Sequence, residues 1–259
     1  MKKLDCFKKC FALVLFLALF SVTVQAETPV ESSIESRLYL TFQVQESALQ
    51  GLLPEPWQVN AISTGPSKGG NLTVIFVQAL VCETPEGKPA PSGGTARYVV
   101  LTVPAKNALT GEESVFVTRI YTTDSERVPG HYKNAVKANI LHENSVKTEE
   151  SAMGQGKEDW KMKITDGSSI KVRFEYKQTA LNHVQWERKI RTIADPDLSF
   201  IYRVDQTGEL LKSEALGVDR LTLYNFSSTV PEHNKYLNNR AKLISVTKIP
   251  NFTVQVSQP

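Results

Sequence analysis

Short stretches of alternating hydrophobic and polar residues, separated by turn residues, run along most of the chain and predict β-strands. Residues 38–44 alternate as a half-buried strand does, and 72–82 form a continuous apolar, β-branched run typical of a central strand. Further strands are predicted at 97–105, 115–122, 160–165, 170–176, 198–204, 209–216, 220–226 and 243–256.

Turn signals and the scarcity of helical patterns then favour a mainly β (α+β) fold. The Asp166-Gly167 pair is the clearest hairpin signal, since both residues tolerate the backbone of a two-residue turn. A run of short strands with such punctuation predicts a largely antiparallel sheet, as a sandwich or as a barrel around a pocket. No linker-like segment divides residues 37–259, so we expect one domain there, after a flexible polar segment at 27–36.

One stretch, residues 120–141, carries the candidate chemistry. It begins as a strand, breaks at a Pro-Gly pair, and then predicts a helix over 128–141 from the spacing of its apolar residues. Lys133 and Lys137 would lie one turn apart on that helix. Repulsion between two ammonium groups favours the neutral amine, so a lysine here could act as a nucleophile near neutral pH. The alternative interpretation is an amphipathic helix with two solvated lysines.

The first 26 residues have the pattern of a secretory signal peptide. Four lysines precede an apolar run at 11–22, which small residues end at Ala26. The run is shorter than the ~20 residues that a membrane-spanning helix needs. We therefore expect cleavage after Ala26 and a secreted or periplasmic protein without a membrane anchor.

Charge and motif content exclude several function classes. The chain has 30 basic and 27 acidic residues, and loss of the signal would leave the two in balance, which gives no support to nucleic-acid binding. The sequence lacks a P-loop, a dinucleotide-binding glycine pattern, a G-x-S-x-G elbow and an H-E-x-x-H motif. Its four histidines are scattered singly, so we expect no metal and no cofactor.

A family resemblance covers most of the predicted mature chain. The segment that starts at Arg37, RLYLTFQVQESALQGLLPEP, resembles the opening of acetoacetate decarboxylase-like proteins, and the later strands follow in that family's order. The resemblance implies an antiparallel sheet closed into a barrel-like pocket, with few short helices. It also implies a lyase activity in which a lysine forms a Schiff base with a β-keto acid.

The resemblance also implies site residues. The family's Gly-Arg-Glu…Pro-Lys-Lys signature is matched here by Glu126 and Lys133, with Lys137 as the second lysine in place of an adjacent pair. The implied catalytic residues are therefore Lys133, Lys137 and Glu126. The implied substrate-binding residues are Arg37 in the first strand, Tyr98 at the position of a family glutamate, and Arg97 and Tyr132 beside these positions.

Three function classes remain open from the sequence. The first is a Schiff-base decarboxylase, aldolase or dehydratase that uses Lys133. The second is a secreted, non-catalytic protein that holds a small keto acid or another small apolar or acidic ligand in the same pocket. The third is a structural or interaction role. The expected partner is a small molecule, and a homo-oligomeric state is left open.

Overall fold

The computed structural model describes residues 27–90, 96–123, 135–149 and 152–259. Within these ranges the chain forms thirteen β-strands, one short α-helix and one 3₁₀ helix at Pro231–Lys235. The predicted signal peptide lies outside the described residues. The elements are β1 (Thr28–Gln43), α1 (Glu46–Gln50), β2 (Trp57–Val59), β3 (Leu72–Glu83), β4 (Ala96–Asn107), β5 (Glu113–Thr122), β6 (Val136–Glu149), β7 (Ala152–Ile164), β8 (Ser169–Lys177), β9 (Asn182–Thr192), β10 (Asp195–Ser213), β11 (Val218–Asp219), β12 (Leu221–Ser228) and β13 (Lys242–Gln258).

The sheet closes on itself through β5. This strand pairs antiparallel with β4 on one side and parallel with β9 on the other. The ring then runs β5-β9-β10-β13-β1-β3-β4 and returns to β5. Its interior is lined mainly by aliphatic and aromatic side chains of one buried cluster, among them Ile75, Val117 and Val254. The predicted mainly β fold with a closed sheet is therefore confirmed.

A second layer of strands covers one outer face of the barrel. It consists of β6, β7, β8 and β12, joined by antiparallel pairing, and it meets the barrel through a short parallel contact between β5 and β6. The larger core cluster lies between barrel and layer, where Phe76 of β3 packs on Trp160 of β7 with ring centroids 5.5 Å apart. One face of β1 and β3 thus supports this layer, while the other face lines the barrel.

The predicted helix at 128–141 is wrong for the part that the structure describes, because residues from Val136 onward form β6. Their apolar residues fit a period of two as well as a helical period. Ala138 and Ile140 face the core with 7% and 1% exposure, whereas Leu141 on the other face is 52% exposed. Burial of the alternating face against the barrel decides in favour of the strand.

Other departures concern polar segments. Residues 28–36, expected to be flexible, form the first half of β1 and pair with both β13 and β3. Strand β9 has no counterpart among the predicted strands, and the two strands expected at 198–204 and 209–216 are the single strand β10.

The hairpin at Asp166-Gly167 is confirmed between β7 and β8. Gly167 adopts a positive φ of 90°, and the Asp166 carboxylate accepts hydrogen bonds from the backbone N–H and hydroxyl of Ser168. Among the residues that the structure describes, no helix is long and apolar enough to cross a membrane.

Candidate ligand site in the barrel interior

Strand β1 supplies a polar row to the inside of the barrel. Its side chains alternate, so Leu38, Leu40 and Phe42 enter the core beneath the second layer, and the residues between them point into the barrel. The inward row is Ser33, Glu35, Arg37, Tyr39 and Thr41.

Arg37 and Glu35 form a buried ion pair at the centre of this row. Arg37 Nε donates to Glu35 Oε2 at 2.5 Å, and Arg37 Nη1 donates to the Tyr39 hydroxyl at 3.0 Å. The Ser33 hydroxyl donates to the other Glu35 oxygen at 2.8 Å. The guanidinium carbon also lies 3.6 Å from the centroid of the Phe252 ring, a cation–π contact. The side chains of Arg37 and Glu35 are only 13% and 9% exposed.

The charge of Arg37 is secured by its partners. Burial alone would lower the pKa of the guanidinium, but the nearby Glu35 carboxylate, together with Tyr39, raises this pKa above its ordinary value. Arg37 therefore remains a cation over the whole accessible pH range. A buried cation with planar N–H donors is suited to binding a carboxylate or carbonyl oxygen.

A cavity of about 70 Å³, which we call the inner chamber, lies against this ion pair. Its walls are mainly aliphatic, and its polar groups are concentrated on β1 and on two tyrosines, Tyr98 of β4 and Tyr202 of β10. Because drug-sized ligands need ~300 Å³ or more, the inner chamber suits a ligand of only a few heavy atoms. The lining residues are Glu31, Ser33, Glu35, Arg37, Ile75, Val77, Tyr98, Val100, Thr102, Val117, Ile120, Ile190, Tyr202, Val254 and Val256.

A second cavity of about 180 Å³, the outer chamber, lies on the other side of Arg37. The two chambers share Arg37, Ile75, Thr102 and Ile190 as walls. Arg37 is thus accessible from both cavities, which makes it the central polar group of the barrel interior.

Two of the sequence-predicted site residues meet at the inner chamber. Arg37 and Tyr98 both line it, and Tyr98 is only 5% exposed. Arg97, the neighbour of Tyr98, points the other way: its Nη1 donates to the backbone oxygen of Ile140 at 3.2 Å and so joins β4 to the second layer. Arg97 therefore lines neither chamber, because adjacent residues of a strand face opposite sides.

Lys137 is also separated from the chambers. It lies on the exposed face of β6, opposite the buried Ala138, and lines a surface depression together with Lys163. Its predicted position on a helix face is lost because this part of the chain is a strand. The predicted residues Glu126, Tyr132 and Lys133 lie outside the described residues.

The described residues on either side of 124–134 both contact the barrel. Thr122 at the end of β5 pairs with Tyr98, and the Thr123 hydroxyl accepts a hydrogen bond from the backbone N–H of Arg97 at 3.1 Å. On the other side, Ala135 packs against the buried cluster of the barrel interior.

Sequence reasoning misses the acidic half of the ion pair. Glu35 falls in the segment that the composition predicts to be flexible, and Phe252, which supports Arg37, comes from the last strand. A signal is present, since every second residue from Ser33 to Thr41 is polar and, apart from Ser36, the residues between them are apolar. This regularity is typical of a strand whose polar face is enclosed.

A second buried polar network lies between barrel and layer. Glu158 accepts hydrogen bonds from His142 Nε2 at 2.6 Å and from Lys248 Nζ at 2.9 Å, and Lys248 also donates to the Tyr176 hydroxyl at 2.5 Å. Burial would raise the pKa of Glu158, but the bond from His142 and the charge of Lys248 lower it below the ordinary value. None of these four side chains lines either chamber, so the network joins the two layers.

A third cluster surrounds His233, which is fully buried on the 3₁₀ helix. His233 Nε2 lies 3.0 Å from the Tyr121 hydroxyl, which itself donates to Glu232 at 2.7 Å, and Nδ1 lies 3.0 Å from the Ser228 hydroxyl. This arrangement fits a neutral imidazole that donates from Nε2 and accepts at Nδ1. Burial lowers the pKa of His233 to about 4.

The described residues contain no group of three or more His, Cys, Asp or Glu side chains arranged to hold a metal ion. The polar groups that line the two chambers are guanidinium groups, carboxylates and hydroxyls. Their chemistry is binding and orientation of a small polar molecule by hydrogen bonds and charge.

Comparison with known proteins reveals similarity at the level of structure. No protein-family model and no curated protein sequence matches the chain. The enduracididine biosynthesis enzyme MppR, in a structure complexed with pyruvate, superposes with a TM-score of 0.55 and 9% identity over 92% of this chain and 91% of that one. An acetoacetate decarboxylase-like enzyme from Sphingomonas wittichii RW1 gives a TM-score of 0.53 and 10% identity over 93% and 97% of the two chains. At such identities the likeness concerns the fold alone.

Proposed function

We propose that this chain, which has the fold of acetoacetate decarboxylase-like proteins, binds a small keto acid or another small acidic or apolar ligand in the inner chamber. The observation that carries the proposal is the buried, permanently charged Arg37 facing an otherwise mainly aliphatic cavity. The pyruvate complex of the similarly folded MppR gives a suitable first ligand to test.

The chemistry of the cavity sets the binding mode. The guanidinium would donate to the ligand's carboxylate or keto oxygen, while the aliphatic walls would enclose its carbon chain. Glu35 balances the charge of Arg37, and a second carboxylate, Glu31, also lines the chamber, so recognition of the ligand depends on the directed N–H donors of Arg37 and not on net charge. A charge-assisted hydrogen bond of this kind contributes ~1.5–3 kcal/mol, which is about a ten- to hundredfold preference.

Calorimetric titration with pyruvate and with its neutral amide, pyruvamide, tests the proposal. The wild-type protein should bind pyruvate at least about tenfold more tightly than pyruvamide. A double variant, Glu35→Leu with Arg37→Met, removes both charges together and should lose this preference. The matched control Arg240→Met changes an exposed arginine outside both chambers and should retain it. Equal binding of the two ligands, or a preference that survives in the double variant, would refute the proposal.

A second candidate is the Schiff-base enzyme. It is favoured by the observation that Thr123 and Ala135, which flank the segment containing Lys133, both contact the barrel. In that reaction the lysine amine would attack the keto carbon and lose water to form an imine. The protonated imine would then accept the electron pair released when the carboxylate leaves as CO₂.

Borohydride reduction in the presence of acetoacetate separates this enzyme from a binding protein. An imine on Lys133 would be reduced to a stable amine and detected by mass spectrometry after digestion. Lys133→Ala should abolish the label, whereas Lys171→Ala, a change on an exposed face of β8, should leave it intact. Absence of label in the wild-type protein would refute the Schiff-base candidate.

We further propose that the protein acts outside the cytoplasm, in the periplasm or as a secreted protein. The proposal rests on the lysine-rich start, the apolar run and the small residues up to Ala26. Its test is the N-terminal sequence of the protein recovered from its native host.

A further inference from the structure

Hydroxyl groups line both chambers, and the outer chamber has five of them. Its wall carries several hydroxyl groups, from Tyr39, Thr41, Ser67, Thr73 and Thr102. Thr41 and Thr73 face each other across β1 and β3 with their hydroxyl oxygens 3.3 Å apart. A volume of about 180 Å³ is far above the ~15 Å³ that a single water needs, so this chamber has room for an organic ligand.

The two chambers differ in charge. The inner chamber includes the carboxylates of Glu31 and Glu35, whereas no aspartate or glutamate lines the outer chamber. The outer chamber has instead a second cation, Arg188, which lies 5.6 Å from the Trp186 ring centroid. Among the residues with described positions, no carboxylate forms an ion pair with Arg188. The outer chamber is therefore the positively charged side of the barrel interior.

A route from solvent leads into this side. A wider surface cavity of about 390 Å³ shares the walls Ile62, Pro104, Val115 and Arg188 with the outer chamber. Arg188 itself is exposed, so it stands where the surface cavity meets the outer chamber. A ligand entering here would pass Arg188 first and reach the hydroxyl groups next.

We propose that the outer chamber is a binding subsite for a short polyhydroxylated carboxylic acid, of the kind formed by oxidation of a sugar. Arg188 binds the carboxylate at the mouth, and Thr41, Thr73 and Tyr39 exchange hydrogen bonds with the ligand's hydroxyl groups. The indole of Trp186 offers an apolar surface to the C–H side of the chain. The subsite stands on the residues of the outer chamber and does not require the inner chamber to bind a keto acid.

Calorimetric titration with gluconate and with hexanoate tests the subsite, since the two acids share chain length and charge but differ in hydroxyl groups. Wild-type protein should bind gluconate at least about tenfold more tightly than hexanoate. A Thr41→Val, Thr73→Val double variant keeps the side-chain shapes. Because it removes both hydroxyls of the pair together, no hydroxyl is left without its hydrogen-bond partner. It should lose this preference, whereas Thr222→Val on the exposed face of β12 should not.

The carboxylate contact is tested separately with an exposed residue, so that loss of folding does not interfere. Arg188→Gln should weaken the binding of gluconate about tenfold. Arg240→Gln, which changes an arginine outside the chambers, should leave gluconate binding unchanged. The subsite would be overturned if gluconate failed to bind, bound no better than hexanoate, or was insensitive to both chamber variants. Pyruvate titrated into the same proteins tells the two proposals apart: its binding should be unchanged in the threonine variant whether or not gluconate binds.

Discussion

Removal of the Glu35 carboxylate tests whether the interior ion pair is as enclosed as the geometry indicates. In Glu35→Gln the Arg37 guanidinium would keep its charge but lose its counter-ion, in a site where the two side chains are only 13% and 9% exposed. Breaking a buried pair by removing one partner typically costs ~3–5 kcal/mol, because an uncompensated charge stays buried. We expect a loss near ~3 kcal/mol, since the Tyr39 hydroxyl and the Phe252 ring still contact the guanidinium.

The matched double variant, Glu35→Leu with Arg37→Met, removes both charges and should be much more stable than Glu35→Gln. Replacing both members of a buried pair by apolar residues of similar volume is often neutral or stabilising. The assay is urea unfolding followed by circular dichroism, in which the free energies of unfolding of the variants are compared with a common m-value. A loss of less than ~1 kcal/mol in Glu35→Gln, or a double variant less stable than Glu35→Gln, would show that the ion pair is not buried in this way.

Three further predictions follow from buried groups and from the chain start. Burial lowers the pKa of His233 from an ordinary value of 6.5 to about 4. Because the unfolded chain therefore binds a proton at a higher pH than the folded chain, the free energy of unfolding should fall by ~3 kcal/mol as the pH drops from 6.5 to 4. His233→Gln should flatten this slope in pH-dependent unfolding, and an unchanged slope would contradict the assignment. Gly156→Ala should destabilise the second layer by ~2 kcal/mol or more, because the added Cβ would overlap the Tyr176 ring; an unchanged melting temperature would show that the ring moves aside freely. Cleavage after Ala26 predicts an exported protein that begins at Glu27, and Edman sequencing that finds Met1 instead would count against it.

The sequence predicts strands well where one face is apolar and the other polar. The central strand and the Asp166-Gly167 hairpin depend on local patterns, and both are present. Arg37 and Tyr98 could be placed in the site because the family resemblance supplied their strands. The alternation of side chains along each strand and the direction of the strands then bring both side chains to one cavity.

The remainder of the site depends on information that a local pattern does not contain. The segment before Arg37 has the polar composition of a solvated segment because its inward side chains line the inner chamber and do not pack in a hydrophobic core. Residues 136–141 satisfy two periods at once, and only packing against the barrel selects the strand. Phe252 meets Arg37 through the pairing of β1 with β13, a contact between the two ends of the chain.

The most direct test of the central claim is a crystal structure of the protein with bound pyruvate. Pyruvate should lie in the inner chamber, with its carboxylate or keto oxygen within hydrogen-bonding distance of the Arg37 guanidinium and its methyl group against the aliphatic wall that includes Val254. Pyruvate bound elsewhere on the protein, with the inner chamber empty at saturating concentration, would contradict it.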